Sequence, residues 1–387
     1  MSGADGHVRK RGNAYEWRKS YVDDLGKRRT LTGTAPTMRE AQAALRKAAT
    51  AIASGQIAND PDRLTTGKYL DRWLVLSRAN VRASTWERYQ AMTNNYLKPA
   101  IGAIPLSKLR PLHIEEAFAR WAEGGRLDGR PGPLAGSTRS LLHVVLTVAL
   151  NRAVKLELLA RNPALVTSKP RKDTAKVKAL TVEQCQQVLE EARGTVYYWP
   201  LALAFNCGTR RGECLALRWR NVDLAAGAIT IEESVAQLRS GAHVGPTKTR
   251  SSVRRIALPP AFAEELRGHW KARAEVMLGL GARLTGDDLV CCWLDGTMIR
   301  PKSLTQFCLT LFRRLGLKAT FHTTRHSHAS ILLSSGANVK AVQQRLGHAS
   351  ARMTLDTYSH LLGNEDEQTA EIIGKALSVS FSGSKSS

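Results

Sequence analysis

The sequence lacks the features of a membrane or secreted protein. Its 387 residues contain no apolar run that approaches the length of a membrane helix, which needs about 18 residues. The N-terminal stretch MSGADGHVRKRG has no apolar segment of the kind found in a secretory signal. We therefore expect a protein that acts in the cytoplasm and does not engage a membrane.

Cysteine is scarce and unevenly placed. The six cysteines all lie at or beyond Cys185, and their spacing matches no zinc-binding pattern. Cys291 and Cys292 are adjacent, which is a poor geometry for a disulfide. We expect reduced, mostly buried thiols, and the sequence predicts no metal site.

Acidic residues are also few. The chain has 33 Asp and Glu against 57 Lys and Arg, which gives a formal net charge of +24. With 43% hydrophobic and 23% charged residues, the composition is typical of a globular protein, and the length suits two or three domains. Such a basic protein favours a polyanionic partner, most simply nucleic acid.

The positive charge is spread along the whole chain. The net charges of successive segments are +5 for residues 1–60, +8 for 61–165, +4 for 166–178 and +7 for 179–387. The short segment 166–178 has a proline and no apolar periodicity, so it predicts a basic interdomain linker. Its cations Lys169, Arg171 and Lys172 are candidate phosphate contacts. The alternative is a solvated linker without a ligand.

Residues 1–55 predict a small module of three strands and one helix. Turn signals separate the strand patterns His7–Lys10, Tyr15–Val22 and Lys27–Leu31, and a capping box at Thr37 opens the helix. The strands are expected to present a basic face that can enter a DNA groove. Its residues are Lys10, Arg11, Arg18, Lys19, Lys27, Arg28 and Arg29. An ordinary solvated sheet face is the alternative.

Residues 63–165 predict an all-α domain. Helical patterns lie at about 67–78, 85–98, 111–123 and 137–155. A capping box at Ser84 opens the second of them, and another at Thr181 opens a helix beyond the linker. Residues 179–387 mix helices with a short strand region. The expected fold class is therefore mainly α and multidomain, with a mixed α+β C-terminal domain.

Two basic residues of the C-terminal domain are predicted at turns. Arg210 begins a helix, where its guanidinium and the helix N-terminus suit a phosphate. A simple ion pair with Glu213 is the alternative. Lys248 is expected at the tip of a hairpin before the strand Val253–Leu258, where a lysine can protonate a leaving oxygen. Exposed loop lysines are usually inert, so Lys248 alone indicates little.

A histidine-rich stretch follows. His322 and Arg325 are three residues apart and share one face of a predicted helix. His322 and His326 also share a face, but His328 does not. Because no carboxylate or cysteine completes a set of ligands, the stretch does not favour a metal site.

The last two motifs are Leu346-Gly-His348 and Tyr358, which stands ten residues beyond His348. A tyrosine near the end of a chain is normally a packing residue. With a pKa of about 10, its hydroxyl is a poor nucleophile unless nearby cations stabilise the phenolate.

In this order, the arginine, lysine, His-x-x-Arg, Leu-Gly-His and tyrosine motifs resemble those of the tyrosine recombinases of the phage-integrase type. Residues 1–55 look like the arm-type DNA-binding domain of such integrases, and residues 63–165 resemble their helical core-binding domain. Residues 179–387 then correspond to the catalytic domain with its C-terminal tail helix.

The resemblance implies a role for each motif residue. Tyr358 would attack the DNA phosphate and form a 3′-phosphotyrosyl link, and Lys248 would protonate the departing 5′-oxygen. The phosphate oxygens would be held by Arg210, Arg325 and His348. His322 would assist proton transfer at the tyrosine, and Glu213 would hold its neighbours in place. Ser327 stands where the family often has threonine. The chemistry needs no cofactor, metal or ATP.

The resemblance also implies partners. The protein would act on double-stranded DNA at core-type and arm-type attachment sites, as a homotetramer in a bacterial cell, associated with the nucleoid when bound. An excision factor and a host DNA-bending protein are further candidates. The apolar positions of the tail, Ala370, Ile372, Ile373, Ala376 and Leu377, predict an amphipathic helix that packs on a neighbouring protomer or on its own domain.

Three alternatives stay open at this point. A type IB topoisomerase would use the same chemistry without choosing a site, although the N-terminal module argues against it. A non-catalytic DNA-binding regulator would have lost active residues, whereas all six are present. A metal-dependent nuclease would need a carboxylate cluster with ligand spacing, which the sequence does not contain.

Overall fold

A computed structural model describes residues 6–22, 28–53, 64–124, 131–171, 179–247, 252–348, 350, 355, 370–371, 373–375 and 377. The chain divides into two compact units, Met1–Thr174 and Ala175–Ser387. The division falls inside the predicted linker 166–178, and the first unit contains both of the predicted N-terminal domains. Lys172 of the linker and Lys27 of the strand region lie outside the described residues.

The chain begins with the predicted meander and helix. Strands β1 (His7–Arg11), β2 (Ala14–Val22) and β3 (Arg28–Ala35) form an antiparallel sheet in sequence order. Helix α1 (Met38–Ala53) follows, and the Thr37 side chain caps it by accepting a hydrogen bond from the backbone N–H of Glu40 at 3.2 Å.

The rest of the first unit is helical, as predicted. Its helices are α2 (Thr66–Ser77), α3 (Ala83–Met92), α4 (Lys98–Ile101), α5 (Pro111–Glu123) and α6 (Gly136–Lys155). A π-helical turn joins α3 to α4 where one continuous helix was expected. The predicted capping box at Ser84 is wrong, because α3 starts two residues earlier than this cap requires and its N-cap is Arg82, without a side-chain cap hydrogen bond.

A single apolar core holds these helices together. It runs from Leu64 to Ala164 and contains the buried rings of Trp73 and Trp121. The hydroxyl of Tyr69 in α2 donates to the carbonyl of Ala149 in α6 at 2.5 Å, so the polar end of this buried ring is satisfied.

The second unit is also mainly helical. Its helices are α7 (Val182–Ala192), α8 (Tyr198–Cys207), α9 (Arg211–Ala216), α10 (Pro260–Gly279), α11 (Pro301–Arg314), α12 (Phe321–Ser334) and α13 (Val339–Leu346). The capping box predicted at Thr181 is confirmed. Its hydroxyl accepts from the N–H of Gln184 at 3.3 Å, and the Gln184 side chain accepts from the N–H of Thr181 at 3.0 Å.

Two small sheets complete this unit. Strands β4 (Val222–Asp223), β5 (Ala228–Ile231) and β8 (Arg254–Ala257) form one, and β6 (Glu233–Leu238) pairs with β7 (Gly241–Pro246) in the other. The described hairpin turns between β6 and β7, upstream of Lys248. Lys248 itself belongs to the link from β7 to β8 and lies outside the described residues.

The six cysteines are free thiols, of which five are buried and Cys292 is half-buried, as expected. In the tail, the described residues between 370 and 377 are helical, and Glu371 accepts from the Lys375 ammonium at 2.7 Å. The side chains of Ile373 and Leu377 are exposed. Within the described ranges, no helix combines the length and apolar character that a membrane span requires.

Candidate active site

The first part of the site is the junction between α8 and α9. Gly208 ends α8 in the left-handed conformation, with φ of 65°, and Arg210 is the N-cap of α9. Glu213 in the first turn of α9 accepts from the backbone N–H of Arg210 at 2.9 Å and from its guanidinium at 2.7 Å. The ion pair with Glu213, which was the alternative role for Arg210, is therefore present. It orients the Arg210 guanidinium, while 37% of the Arg210 side chain stays exposed.

Glu213 is buried between two arginines. Its second partner is Arg254 of β8, whose guanidinium donates to the carboxylate at 2.8 Å. Burial alone would raise the pKa of Glu213, but hydrogen bonds and charge from Arg254 and Arg210 outweigh it and lower the pKa to about 2. The carboxylate is therefore ionised over the whole physiological range.

Arg325 of α12 is the most deeply buried of the predicted cations that the structure describes. It is 2% exposed, and its two terminal nitrogens donate to the carbonyls of Gly208 and Leu346, each at 2.6 Å. Both carbonyls lie at the C-terminal ends of helices, where unpaired carbonyls and the helix dipole favour a cation.

Three guanidinium groups converge on the end of α13. The carbonyl of Arg345 accepts from Arg254 at 2.7 Å, that of Leu346 from Arg325 at 2.6 Å, and that of Gly347 from Arg210 at 3.3 Å. Gly347 turns the chain with φ of 65°. The three cations are therefore anchored at one helix terminus, and the next residue is His348, the predicted ligand of the phosphate, whose backbone N–H donates to the carbonyl of Gln343 at 3.1 Å.

The imidazoles of His348 and His322 both belong to this cluster. Burial, followed by the charges of Arg325 and Arg210 among others, lowers the pKa of His348 to about 4. For His322 the causes are burial, then the charges of His326, Arg325 and Arg210, and the pKa is again about 4. Both rings are neutral at physiological pH, so each can donate one hydrogen bond and accept another.

The geometry adds residues that the sequence patterns did not single out. His326, considered only as a metal ligand, places its ring edge-on to that of His322 with centroids 4.7 Å apart. His328 and Arg345 form a bond of 3.1 Å between the His328 Nε2 and the Arg345 Nε. The sequence offered one signal for Arg254: in the short strand β8 it stands two residues before the apolar Ile256, on the face of the strand that is buried.

The remaining predicted residues are placed as follows. The Ser327 hydroxyl is buried, donates to the Thr323 carbonyl at 2.9 Å and accepts from the N–H of Leu180 at 2.8 Å, so it anchors α12 to the start of this unit. Tyr358 lies outside the described residues, as Lys248 does. Arg210, Glu213, His322, Arg325 and His348 are brought together.

The predicted basic face of the N-terminal sheet is divided between two faces. In the observed register, Arg11, Arg18 and Arg28 share one face with Glu16. Lys10, Lys19 and Arg29 lie on the opposite face, which carries the buried Leu31 and Ala35. The prediction of a single face is therefore wrong, because strand alternation separates residues that are adjacent in sequence.

Glu16 organises the first of these faces. Its carboxylate is 8% exposed and is paired with Arg9 at 2.6 Å, Arg18 at 3.3 Å and Arg11 at 3.9 Å. The hydrogen bond from Arg9 lowers the pKa of Glu16. In the linker region, Lys169 and Arg171 are described residues, and Ser168 before them is tied to α5 by its backbone N–H, which donates to Glu115 at 2.9 Å.

Two known family models match part of each unit. A family model described as the phage integrase family matches residues 178–365, which include the whole cluster. A second family model, described as the N-terminal SAM-like domain of phage integrases, matches residues 65–122.

Curated relatives extend over most of the chain. It is 30% identical to an integrase of Streptomyces ambofaciens over 351 residues, which cover 87% of this chain and 86% of that protein. It is 23% identical to a tyrosine recombinase XerC-like protein of Caldanaerobacter subterraneus subsp. tengcongensis over 358 residues, 87% of this chain and 89% of that protein.

Solved structures share the fold. The Tn1549 transposon integrase, in complex with a circular intermediate DNA, is similar with a TM-score of 0.66 at 19% identity, over 80% of this chain and 98% of that one. A lambda integrase tetramer bound to a Holliday junction is similar with a TM-score of 0.56 at 16% identity, over 92% and 94%. The mainly α, multidomain fold class is confirmed.

Proposed function

Because the chain belongs to the phage integrase family of tyrosine recombinases, we propose that its second unit cuts and rejoins DNA strands at the site built around Arg210, Arg325 and His348. Membership of this family makes the protein a site-specific DNA recombinase. The observation that carries the assignment of the site is the convergence of Arg210 and Arg325 on consecutive carbonyls at the end of α13, directly before His348.

The chemistry explains why such a cluster is needed. Attack on a phosphodiester places extra negative charge on the two non-bridging oxygens of a five-coordinate transition state. Donors that are already oriented stabilise this charge without reorganising. Arg210 and Arg325 are permanently charged planar groups. His348, neutral because its pKa is about 4, donates an N–H to the same phosphate.

The covalent step involves two further residues. The Tyr358 oxygen attacks the phosphorus, the bond from phosphorus to the 5′-oxygen breaks, and Lys248 gives that oxygen a proton. The products are a 3′-phosphotyrosine and a free 5′-hydroxyl. His322, a neutral imidazole in the cluster, accepts the tyrosine proton. Because the phosphotyrosine preserves the bond energy, the reverse attack by a 5′-hydroxyl rejoins DNA without ATP.

The other parts of the chain bind DNA in this proposal. Residues 1–55 form an arm-type DNA-binding domain, 63–165 a core-binding domain, and 166–178 a basic linker against the DNA backbone. The net charge of +24 supports this arrangement. The active form is a homotetramer on two duplexes in the bacterial cytoplasm, with an excision factor and a host DNA-bending protein as accessory partners.

The decisive experiment uses a nicked suicide substrate, from which the cut end diffuses away so that a covalent adduct accumulates. Wild-type protein should form an adduct on its own attachment DNA, also in EDTA. Tyr358→Phe should bind the same DNA with equal affinity and form none. An adduct with Tyr358→Phe would disprove the assignment of the nucleophile. Relaxation of any plasmid, without dependence on a pair of attachment sequences, would favour a topoisomerase instead.

A further inference from the structure

Arg254 of β8 is a buried arginine with three defined partners. Its Nε donates to the carbonyl of Arg345 at 2.7 Å, one terminal nitrogen to the carbonyl of Ser252 at 3.0 Å, and the other to the Glu213 carboxylate at 2.8 Å. The residue is 9% exposed and Glu213 is 2% exposed. Arg254 is therefore almost wholly buried, and all three of its guanidinium nitrogens donate to groups of the protein itself.

These contacts connect three separate parts of the site. Through Glu213, Arg254 reaches the group that orients Arg210. Through the carbonyl of Arg345, it fixes the last turn of α13, whose next carbonyls hold Arg325 and Arg210. Through its hydrogen bond to the carbonyl of Ser252, it fixes the backbone just before β8, four residues after Lys248 in the sequence.

We propose that Arg254 is a positioning residue for strand cleavage, which sets the geometry of Arg210 and His348 through Glu213 and the end of α13. This inference rests on the proposed function. Arg254 does not touch the DNA. It acts by keeping one carboxylate and one helix terminus at a fixed separation, so that two phosphate-binding groups are in place before the substrate arrives.

The physical reason is that Glu213 alone cannot keep this arrangement. A buried carboxylate with one partner is costly, and its protonated form would release the backbone N–H and the guanidinium of Arg210. The titratable groups that face Glu213 are Arg210 from the start of its own helix, Arg254 from β8 and the adjacent buried thiol of Cys214. Without Arg254, its hydrogen bond and charge would no longer lower the pKa of Glu213, so this pKa would rise from its present value.

The test compares two arginines of the same strand. Arg254→Met removes the buried guanidinium at similar volume, and Arg254→Lys keeps the charge but loses the fork. The matched control is Arg255→Met, since Arg255 is the next residue, 58% exposed, and pairs with Asp223 at 3.5 Å on the outside. The assay is single-turnover adduct formation on the suicide substrate, with binding to the same duplex measured in parallel.

Arg254→Met should cleave about a hundredfold more slowly than wild type, because small displacements of catalytic groups have effects of this size. Arg254→Lys should cleave at a rate between those of Arg254→Met and wild type. Arg255→Met should cleave at the wild-type rate. Binding of the duplex should be unchanged in all three. The Lys variant keeps the test valid if the Met variant does not fold, and thermal unfolding reports the fold of each.

The pH profile separates positioning from a general loss of structure. The ratio of the Arg254→Met rate to the Arg255→Met rate should fall as the pH is lowered from about 8 to about 5.5, because only the former variant allows Glu213 to become protonated. A flat ratio, or an Arg254→Lys rate equal to wild type, would overturn the inference. If wild type itself forms no adduct, the proposed function fails instead.

Discussion

The guanidinium of Arg325 donates to the carbonyl of Leu346, the last residue of α13, at 2.6 Å. Its other terminal nitrogen donates to the carbonyl of Gly208, the residue that ends α8. Arg325, which belongs to α12, thus connects the C-terminal ends of α8 and α13. The two acceptors fix the plane of the guanidinium, so its orientation does not depend on a bound phosphate.

Arg325→Lys should therefore abolish most activity although it keeps the charge. An ammonium is a point donor and cannot bridge the two carbonyls and a phosphate at once. We expect the cleavage rate to fall by about a hundredfold to a thousandfold. Arg314→Lys, at an exposed ion pair with Glu191, is the matched control and should cleave at the wild-type rate. Equal rates for both variants would contradict the bridging role.

Gly208→Ala should damage the same junction by a steric route. A Cβ at this position would lie 2.6 Å from the His328 ring and 2.8 Å from the Leu346 side chain, in addition to the left-handed backbone. Gly316→Ala is the control, because Gly316 has a similar φ of 68° and no heavy atom within 4 Å of the added carbon.

Both alanines incur the left-handed penalty of about 1–2 kcal/mol, and only Gly208→Ala should lose further stability and cleavage activity. Urea unfolding and adduct formation measure the two effects. If the two variants lost equal stability and kept equal activity, the close approach of His328 would be unimportant.

The local elements could be predicted from the sequence because their signals are local. The side-chain cap at Thr37, the capping box at Thr181 and the turn residues of the N-terminal meander each act within a few residues. The cap at Ser84 failed because a Ser-x-x-Glu pattern is also compatible with a helix interior. Arg82 begins that helix without a side-chain cap.

The site could be predicted as a set of residues but not as a network. The order of the motifs predicts Arg210, Arg325 and His348 as site residues, and the structure brings them together, whereas nothing in the spacing indicates that Arg210 and Arg325 bind consecutive carbonyls of one helix end. Arg254 was overlooked for the same reason: its partners Glu213 and Arg345 are distant in sequence. Contacts of this kind depend on tertiary packing, which one sequence does not reveal.

Glu213→Gln should be strongly destabilising at neutral pH. It leaves two guanidinium groups without their carboxylate, and breaking a buried ion pair costs about 3–5 kcal/mol. Glu264→Gln, at an exposed pair with Arg267, should cost little and is the control. Urea unfolding gives the free energies.

The pH dependence of this loss has a defined sign. The pKa of Glu213 is about 2 in the folded protein, against an ordinary value of 4.5. The stabilisation is therefore complete above about pH 4.5 and is lost as the pH falls towards about 2. The difference between wild type and Glu213→Gln should shrink across that window. A constant difference would mean that Glu213 is not held as an ion.

His328→Gln should flatten the acid dependence of stability. The Nδ1–H of His328 donates to the Phe205 carbonyl at 2.7 Å, which leaves Nε2 to accept from Arg345. Burial lowers the pKa of His328 to about 4. The hydrogen bond to Phe205 opposes this shift, and the charges of Arg345 and Arg325 add to it. Protonation would replace the accepted hydrogen bond with repulsion between two cations.

A depressed pKa means that the unfolded chain binds the proton more readily. Stability should thus be complete above about pH 6.5 and fall as the pH drops towards 4, by about 3 kcal/mol at most from this group. Glutamine keeps a donor and an acceptor but cannot ionise, so the slope should decrease. His243→Gln, on the exposed side of β7, should leave the slope as in wild type.

Arg18→Ala and Lys19→Ala test which face of the N-terminal sheet meets DNA. The two residues are adjacent in β2 but lie on opposite faces, and Lys19 shares its face with the buried Leu31. Arg18 lies on the face that Glu16 organises. Arg18→Ala should weaken binding of arm-type DNA and reduce the salt dependence of log K by about 0.9 for one lost phosphate contact. Lys19→Ala should have the smaller effect. The reverse order in a titration at several salt concentrations would place DNA on the other face.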